Sequence, residues 1–271
     1  MNFLLFLFVA QSAFVPWGIK GNTTLVELAE AFAPTGDFEN ADWKRSIDGD
    51  SEILRYECQI KKGCRSHPRA AQFYFSKKKL VSADLTFSGD QGSGSADVAM
   101  VINQALTQAG DVVATAKYVG RYTRYFSVGP WSAVWIQDGP QARVKLYLDQ
   151  RNPVGRAEAV AAGAQLDLSA FPGASSYSKA HRLLMDDRWA SAMRSFEQVL
   201  KTPGISSMFA RQTRFVLAMT IAADLKSTSK TAKAQDKAWR ADALRKLRRA
   251  QKLAPSLKAH FAAMIDEFSL R

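Results

Sequence analysis

Along residues 53–149 apolar and polar side chains alternate with a period of two, and from 175 onward apolar residues recur at three and four. The first pattern predicts half-buried strands and the second amphipathic helices. In 53–60 Leu54, Tyr56, Cys58 and Ile60 share one face, and in 70–76 Phe73 and Phe75 do so. In 80–87 Val81, Ala83, Leu85 and Phe87 point inward while Ser82, Asp84 and Thr86 point outward. Three further strand-like runs occupy 121–129, 131–137 and 142–149, the last two joined by Gln137-Asp138-Gly139-Pro140 with Asp-Gly as the turn signal. A Gly/Ser loop over 88–95 precedes a helix whose Val98, Val101, Ile102, Ala105 and Ala109 form one apolar stripe, with Ser95 placed to cap it. An earlier short helix, about 25–33, is announced by Thr24-x-x-Glu27, a capping-box pattern. The expected order is β-β-β-α-β-β-β, an antiparallel sheet with one or two helices across a face.

These elements define an α+β domain over 21–150. Residues 151–174, rich in small residues and flanked by Pro153 and Pro172, read as a linker with a short helix near 156–163. Residues 175–271 read as all helix.

In the helical region Ala192-x3-Phe196 is followed by Val199, Leu200 and Pro203. Ala243-x3-Leu247-x2-Ala250-x2-Leu253-x-Pro255 repeats the spacing. Both resemble the second helix of a tetratricopeptide repeat, with Trp189 as the aromatic that opens the first copy. Ala180 and Leu183, then Leu217, Ala218 and Ile221, match positions of the first helix. The two second helices lie 51 residues apart (Ala192 to Ala243) rather than the 34 of the repeat, and 226–237 accommodates the excess. The resemblance covers about a third of the chain. It implies that second helices line an outer face and first helices a groove. Tyr177, His181, Met185, Phe215 and Met219 would then line the groove, a set suited to an apolar peptide. Packing between helices is the other reading of those five residues.

Charge sharpens this picture. The net charge is +12, and 175–271 holds 19 Lys/Arg against 8 Asp/Glu, a balance of +11. Residues 225–258 alone carry 11 basic and 2 acidic side chains. At about 100° per residue, Trp239, Ala243, Leu247, Ala250 and Ala254 fall on one helix face, and Arg245, Arg248, Arg249 and Lys252 on the other. With Lys226, Lys230, Lys233 and Lys237 they form a candidate basic surface for an acidic or envelope-associated protein, an anionic membrane surface or an anionic polymer. A burial pattern of this kind argues against a free helix that reads nucleic acid, so specific nucleic-acid binding is not expected.

The segment 1–20 carries an apolar run from Phe3 to Val15, closed by Pro16 and Gly18. Its length fits a signal peptide better than a span of about 20 residues, with an uncleaved anchor and a core helix as alternatives. Cys58 and Cys64 flank Lys61-Lys62-Gly63, which turns the chain. A disulfide across that turn agrees with export, while two buried thiols or zinc ligands are the other options. The chain contains no Walker, Rossmann, zincin or nucleophile-elbow motif. No cofactor or metal is expected. The sequence therefore points to an exported, periplasmic or secreted, non-enzymatic binding or scaffold protein. The alternative is a cytosolic nucleic-acid-binding protein using the basic C-terminal helices.

Overall fold

The computed structural model describes residues 24, 27–28, 41–48, 51–58, 68–88, 100, 102–104, 106–108, 110–118, 121–128, 131–149, 151–230 and 237–270. The chain divides after Gln150 into two compact units, an antiparallel sheet unit followed by an all-helical one.

The first unit is built on eight strands: β1 (Ala41–Asp48), β2 (Ser51–Cys58), β3 (Ala70–Ser76), β4 (Lys79–Ser88), β5 (Asp111–Tyr118), β6 (Arg121–Val128), β7 (Trp131–Asp138) and β8 (Gln141–Tyr147). They form one antiparallel sheet in the order β1-β2-β3-β4-β8-β7-β6-β5. All six expected strands are present. The two that alternation did not announce, β1 and β5, are the sheet's edges. Edge strands are covered on fewer sides, so their sequences need less regular alternation. Lys44, Arg45 and Ile47 of β1 and Asp111, Val112, Thr115 and Lys117 of β5 are exposed.

The sheet's order is that of two four-stranded meanders joined through their last strands. β4 and β8 pair antiparallel with Asp84 opposite Lys145, flanked by Ser82–Tyr147 and Thr86–Arg143. Counting from the two hairpin turns, and allowing for one extra residue, Val81, in β4, Asp84 and Lys145 occupy equivalent places. A pseudo-twofold axis therefore passes through that pair. Phe73 corresponds to Trp135, and Ala83, Leu85 and Phe87 to Val144, Leu146 and Leu148. All of these lie in one buried cluster with Leu54, Tyr56, Phe75 and Phe126. Leu28, Ile102 and Leu106 join it from the helical residues 27–28, 102–104 and 106–108. Fully burying such side chains contributes roughly 1.5–3 kcal/mol each before the entropy of ordering them. The predicted capping box forms: the Thr24 N–H donates to Glu27 Oε2 at 2.7 Å and the Glu27 N–H to Thr24 Oγ1 at 3.3 Å. Ser95, Val98, Val101, Ala105 and Ala109 lie outside the described residues.

On the opposite face Arg143 Nη2 donates to Asp84 Oδ2 at 2.5 Å and Nε to Oδ1 at 3.3 Å. Burial works against the guanidinium's charge, but the Asp84 carboxylate outweighs it and holds the Arg143 pKa above its ordinary value. The expectation that Ser82 points to solvent fails, because Ser82, Tyr125, Val134 and Tyr147 on this face are buried as well.

The second unit holds α1 (Val154–Ala161), α2 (Ala174–Met185), α3 (Trp189–Lys201), α4 (Ser207–Thr228), α5 (Lys237–Leu253) and α6 (Lys258–Leu270). Each packs against the next in sequence. The segment 151–174, expected as a linker, instead begins this unit. In α1 Val154, Gly155, Ala157, Ala159 and Ala161 are buried, because small side chains let α2 approach closely. The short helix expected near 156–163 is present as α1, but the small residues read as a linker are here a packing surface.

Both α1 and α2 end in a left-handed residue. Gly163 (φ 106°) follows α1, with Ala164 N–H donating to the Ala159 carbonyl at 2.9 Å. Asp187 (φ 55°) takes the same role after α2, with Arg188 N–H donating to the Leu183 carbonyl at 2.9 Å. Glycine adopts this conformation without steric cost and Asp does not. Replacing Asp187→Gly is expected to raise the unfolding free energy by about 0.5–1 kcal/mol, measured by urea denaturation. A loss of stability would count against this geometry.

Candidate binding surfaces of the helical unit

Tyr177 organises the helical core. Its fully buried ring lies 5.3 Å from Phe196 of α3 and 5.3 Å from Phe209 of α4, centroid to centroid. Its hydroxyl reaches Glu158 Oε1 of α1 at 3.4 Å. Tyr177 was expected in a groove, but a side chain with no exposed surface cannot meet a partner. The alternative reading of this residue, packing between helices, is the one the structure supports. His181 stacks on it at 6.2 Å and is half-buried, as is Met185. Phe215 and Met219 are different: each is 39% exposed.

The difference follows from α4's sequence. One side of this helix buries Phe209, Thr213, Leu217, Ile221 and Leu225. The hydroxyls of Thr213 and Thr220 are satisfied by the carbonyls of Phe209 and Val216, each at 2.8 Å, so they bury without an orphaned donor. The helical period places Met208, Phe215, Met219 and Lys226 on the other side. Arg211 flanks that pole half-buried, and Arg214 and Lys226 are exposed. A helix with solvent on one side ordinarily shows polar residues there, whereas α4 is apolar on both.

On α5, Ala243, Leu247 and Ala250 are buried and Trp239 stacks on Phe268 of α6 at 5.6 Å. Arg245, Arg248, Arg249 and Lys252 are exposed, as are Lys226, Lys230 and Lys237. Lys233 lies outside the described residues. The exposed face is not uniformly uncompensated, however. Arg245 Nη2 meets Asp242 Oδ1 at 2.5 Å, Lys246 meets Asp242 at 3.1 Å and Asp224 at 4.0 Å, and Arg249 Nη2 meets Glu197 Oε1 of α3 at 2.6 Å. The spacing of Asp242 with Arg245 and Lys246 is readable from sequence as i,i+3 and i,i+4. Glu197 and Asp224 are distant in sequence and only the fold brings them in. The part of the stripe without an ion pair among the described residues is Arg248 and Lys252, with Lys226, Lys230 and Lys237.

Burial raises the Asp224 carboxyl pKa, Lys246 opposes the shift and Asp242 adds to it. Asp242 is itself partly desolvated, but hydrogen bonds from Lys246 and Arg245 outweigh that and hold it below the ordinary carboxylate range.

Cys58 closes β2 and Cys64 lies outside the described residues, so no Cys58–Cys64 bond is described. The segment 1–20 also lies outside them. Among the described residues no helix is long and apolar enough to cross a membrane. Comparison with models of protein families, with curated proteins and with solved structures finds no match.

Two outcomes follow from the charges. Arg249→Glu should destabilise the fold by about 1 kcal/mol, since it sets two carboxylates against each other, while Arg248→Glu should change stability by less than about 0.5 kcal/mol. Chemical denaturation separates them, and equal effects would contradict the pairing. For the two acids the signs oppose. Asp242, with its pKa lowered, stabilises the fold above the ordinary carboxylate pKa of about 3.9 and loses that contribution as pH falls below it. Asp224, with its pKa raised, favours the protonated form, so its charge costs stability at neutral pH and the cost disappears on acidification. Asp242→Asn should therefore lower stability at about pH 7 and Asp224→Asn should not, as read from denaturation midpoints. The reverse order would show that the charges are arranged differently.

Proposed function

We propose that the chain is an exported, non-enzymatic scaffold whose helical unit is a tetratricopeptide-like peptide-binding module with a basic outer face. The observation that carries this reading is the second apolar side of α4, where Phe215 and Met219 remain exposed with Arg211 and Lys226 at its borders along the helix. An apolar stripe flanked by cations fits an amphipathic segment whose apolar positions recur at helical spacing and whose borders are acidic. The packing of α2 on α3 and α4 on α5 supports two stacked helical hairpins. So does the ion pair from Arg249 of α5 to Glu197 of α3, which links their second helices. The Ala192-x3-Phe196 and Ala243-x3-Leu247 positions, all fully buried, agree with the repeat spacing. Arg248 and Lys252, without an ion pair among the described residues, face away from the core side of α5 and offer a second contact to an acidic, envelope-associated partner. Export rests on the apolar run of the first twenty residues and the Cys58/Cys64 spacing.

The test is binding of a labelled synthetic helix carrying Leu at i, i+4 and i+7 with Glu borders, beside the same helix with Lys borders, followed by fluorescence anisotropy. The acidic peptide should bind more tightly. Phe215→Ala with Met219→Ala should weaken it by about tenfold or more, roughly 1.4 kcal/mol, without lowering thermal stability comparably. Equal affinity for both peptides, or affinity unchanged in the double variant, would refute the reading.

A further inference from the structure

The β3–β4 hairpin turns through Lys77 and Lys78, with Ser76 paired to Lys79 across the neck. Both turn residues have positive φ, 50° and 64°. A two-residue hairpin turn with left-handed geometry at both positions favours Asn-Gly or Asp-Gly, because a larger side chain there meets its own backbone. Lysine gains nothing sterically from that conformation. The pseudo-twofold supplies an internal comparison. The equivalent turn of the second meander, between β7 and β8, is Gly139-Pro140, with Gly139 at φ 57° and open space around it. The same architectural position is thus filled without left-handed lysines in one half of the sheet and with two in the other. The fold does not require them.

Lys77, Lys78 and Lys79 are all exposed, and none forms an ion pair among the described residues. Three adjacent cations repel one another and stay solvated in the free protein. Local strain combined with uncompensated charge marks side chains kept for contact rather than for packing.

The geometry points to the Lys77–Lys79 tip as a contact for the anionic phospholipid head groups of a membrane surface. A hairpin tip is convex, so it has no concavity in which to enclose a small anion. A flat array of phosphates meets three neighbouring ammonium groups at once. Lysine suits this better than arginine, since its compact charge on a flexible stem needs no fixed planar partner. The tip belongs to the sheet unit and shares no residue with the α4 or α5 surfaces, so it stands or falls apart from the function proposed for them.

The experiment uses the full chain with vesicles of phosphatidylcholine, with and without about one third phosphatidylglycerol, read by co-sedimentation at near-physiological salt of about 0.15 M. Binding to pure phosphatidylcholine reports apolar contacts, from the first twenty residues or the exposed side of α4, and the gain on adding phosphatidylglycerol reports charge. In the variant Lys77→Asn, Lys78→Gly, Lys79→Thr that gain should fall, by up to about a hundredfold in affinity. The same variant should be more stable, by about tenfold in the folding constant, because its turn residues accept the left-handed conformation. Lys237→Gln with Arg248→Gln and Lys252→Gln, which also removes three positive charges from exposed positions, serves as the charge-matched reference elsewhere on the chain. An unchanged gain in the tip variant overturns the proposal, as does a gain lost only in the reference variant. A tip variant no more stable than the parent removes the strain on which the argument rests. Loss of binding to a soluble oligonucleotide, with vesicle binding intact, assigns the tip to a nucleic acid instead.

Discussion

The helical unit depends on one side chain, Tyr177, from which three other helices can be reached. Its ring packs edge-on to Phe196 and tilted to Phe209, fixing α2 against α3 and α4, and its hydroxyl meets Glu158 of α1. An aromatic ring tolerates few arrangements of its neighbours, so this cluster sets helix positions more narrowly than aliphatic contacts would. Alanines at 180, 192, 218, 243 and 250, all buried, do the complementary work of letting backbones come close. What remains on the outside is a consequence. With α4's Phe209, Leu217 and Ile221 committed inward, Phe215 and Met219 have nowhere to go but solvent.

The sheet unit has a comparable constraint in the β4–β8 pairing. Two meanders share one core only because their last strands pair edge to edge. On the axis of a true homodimer a residue must face its own copy, and a carboxylate would face a carboxylate. Within one chain the equivalent places hold Asp84 and Lys145. The nearby Arg143 binds Asp84 through two hydrogen bonds. The centre of the sheet therefore carries opposite charges on facing strands, which attract across the β4–β8 pair.

Charge on the helical unit divides by the same logic of neighbours. Arg245 and Lys246 meet Asp242 at spacings the sequence shows. Arg249 looks alike in sequence to Arg248 and Lys252, yet it meets Glu197 while those two meet no carboxylate among the described residues. Exposed pairs of this kind contribute little to stability. Their larger effect is to set where positive potential remains, which is the part of the stripe available to a partner.

Much of the fold was legible without coordinates. The period of two placed β2, β3, β4, β6, β7 and β8, the Thr24-x-x-Glu27 spacing placed a helix start, and the period of 3.6 placed α5's buried Ala243, Leu247 and Ala250. Each is a local consequence of side-chain direction along a regular backbone. The edge strands β1 and β5 escaped because exposure relaxes the alternation that marks a strand. The 151–174 segment escaped because small residues serve a loop or a tight helix contact equally well. Of the five groove candidates, the repeat resemblance grouped Tyr177 with Phe215, and only packing separated a buried keystone from an exposed side chain. The sequence by itself determined the six inner strands and which helix faces are apolar, because those follow from neighbours along the chain. The tertiary structure alone decided strand order, the pairing of Arg249 with Glu197 and of Asp84 with Arg143, and which apolar faces stay uncovered, because those depend on residues brought together from 52 and 59 positions apart.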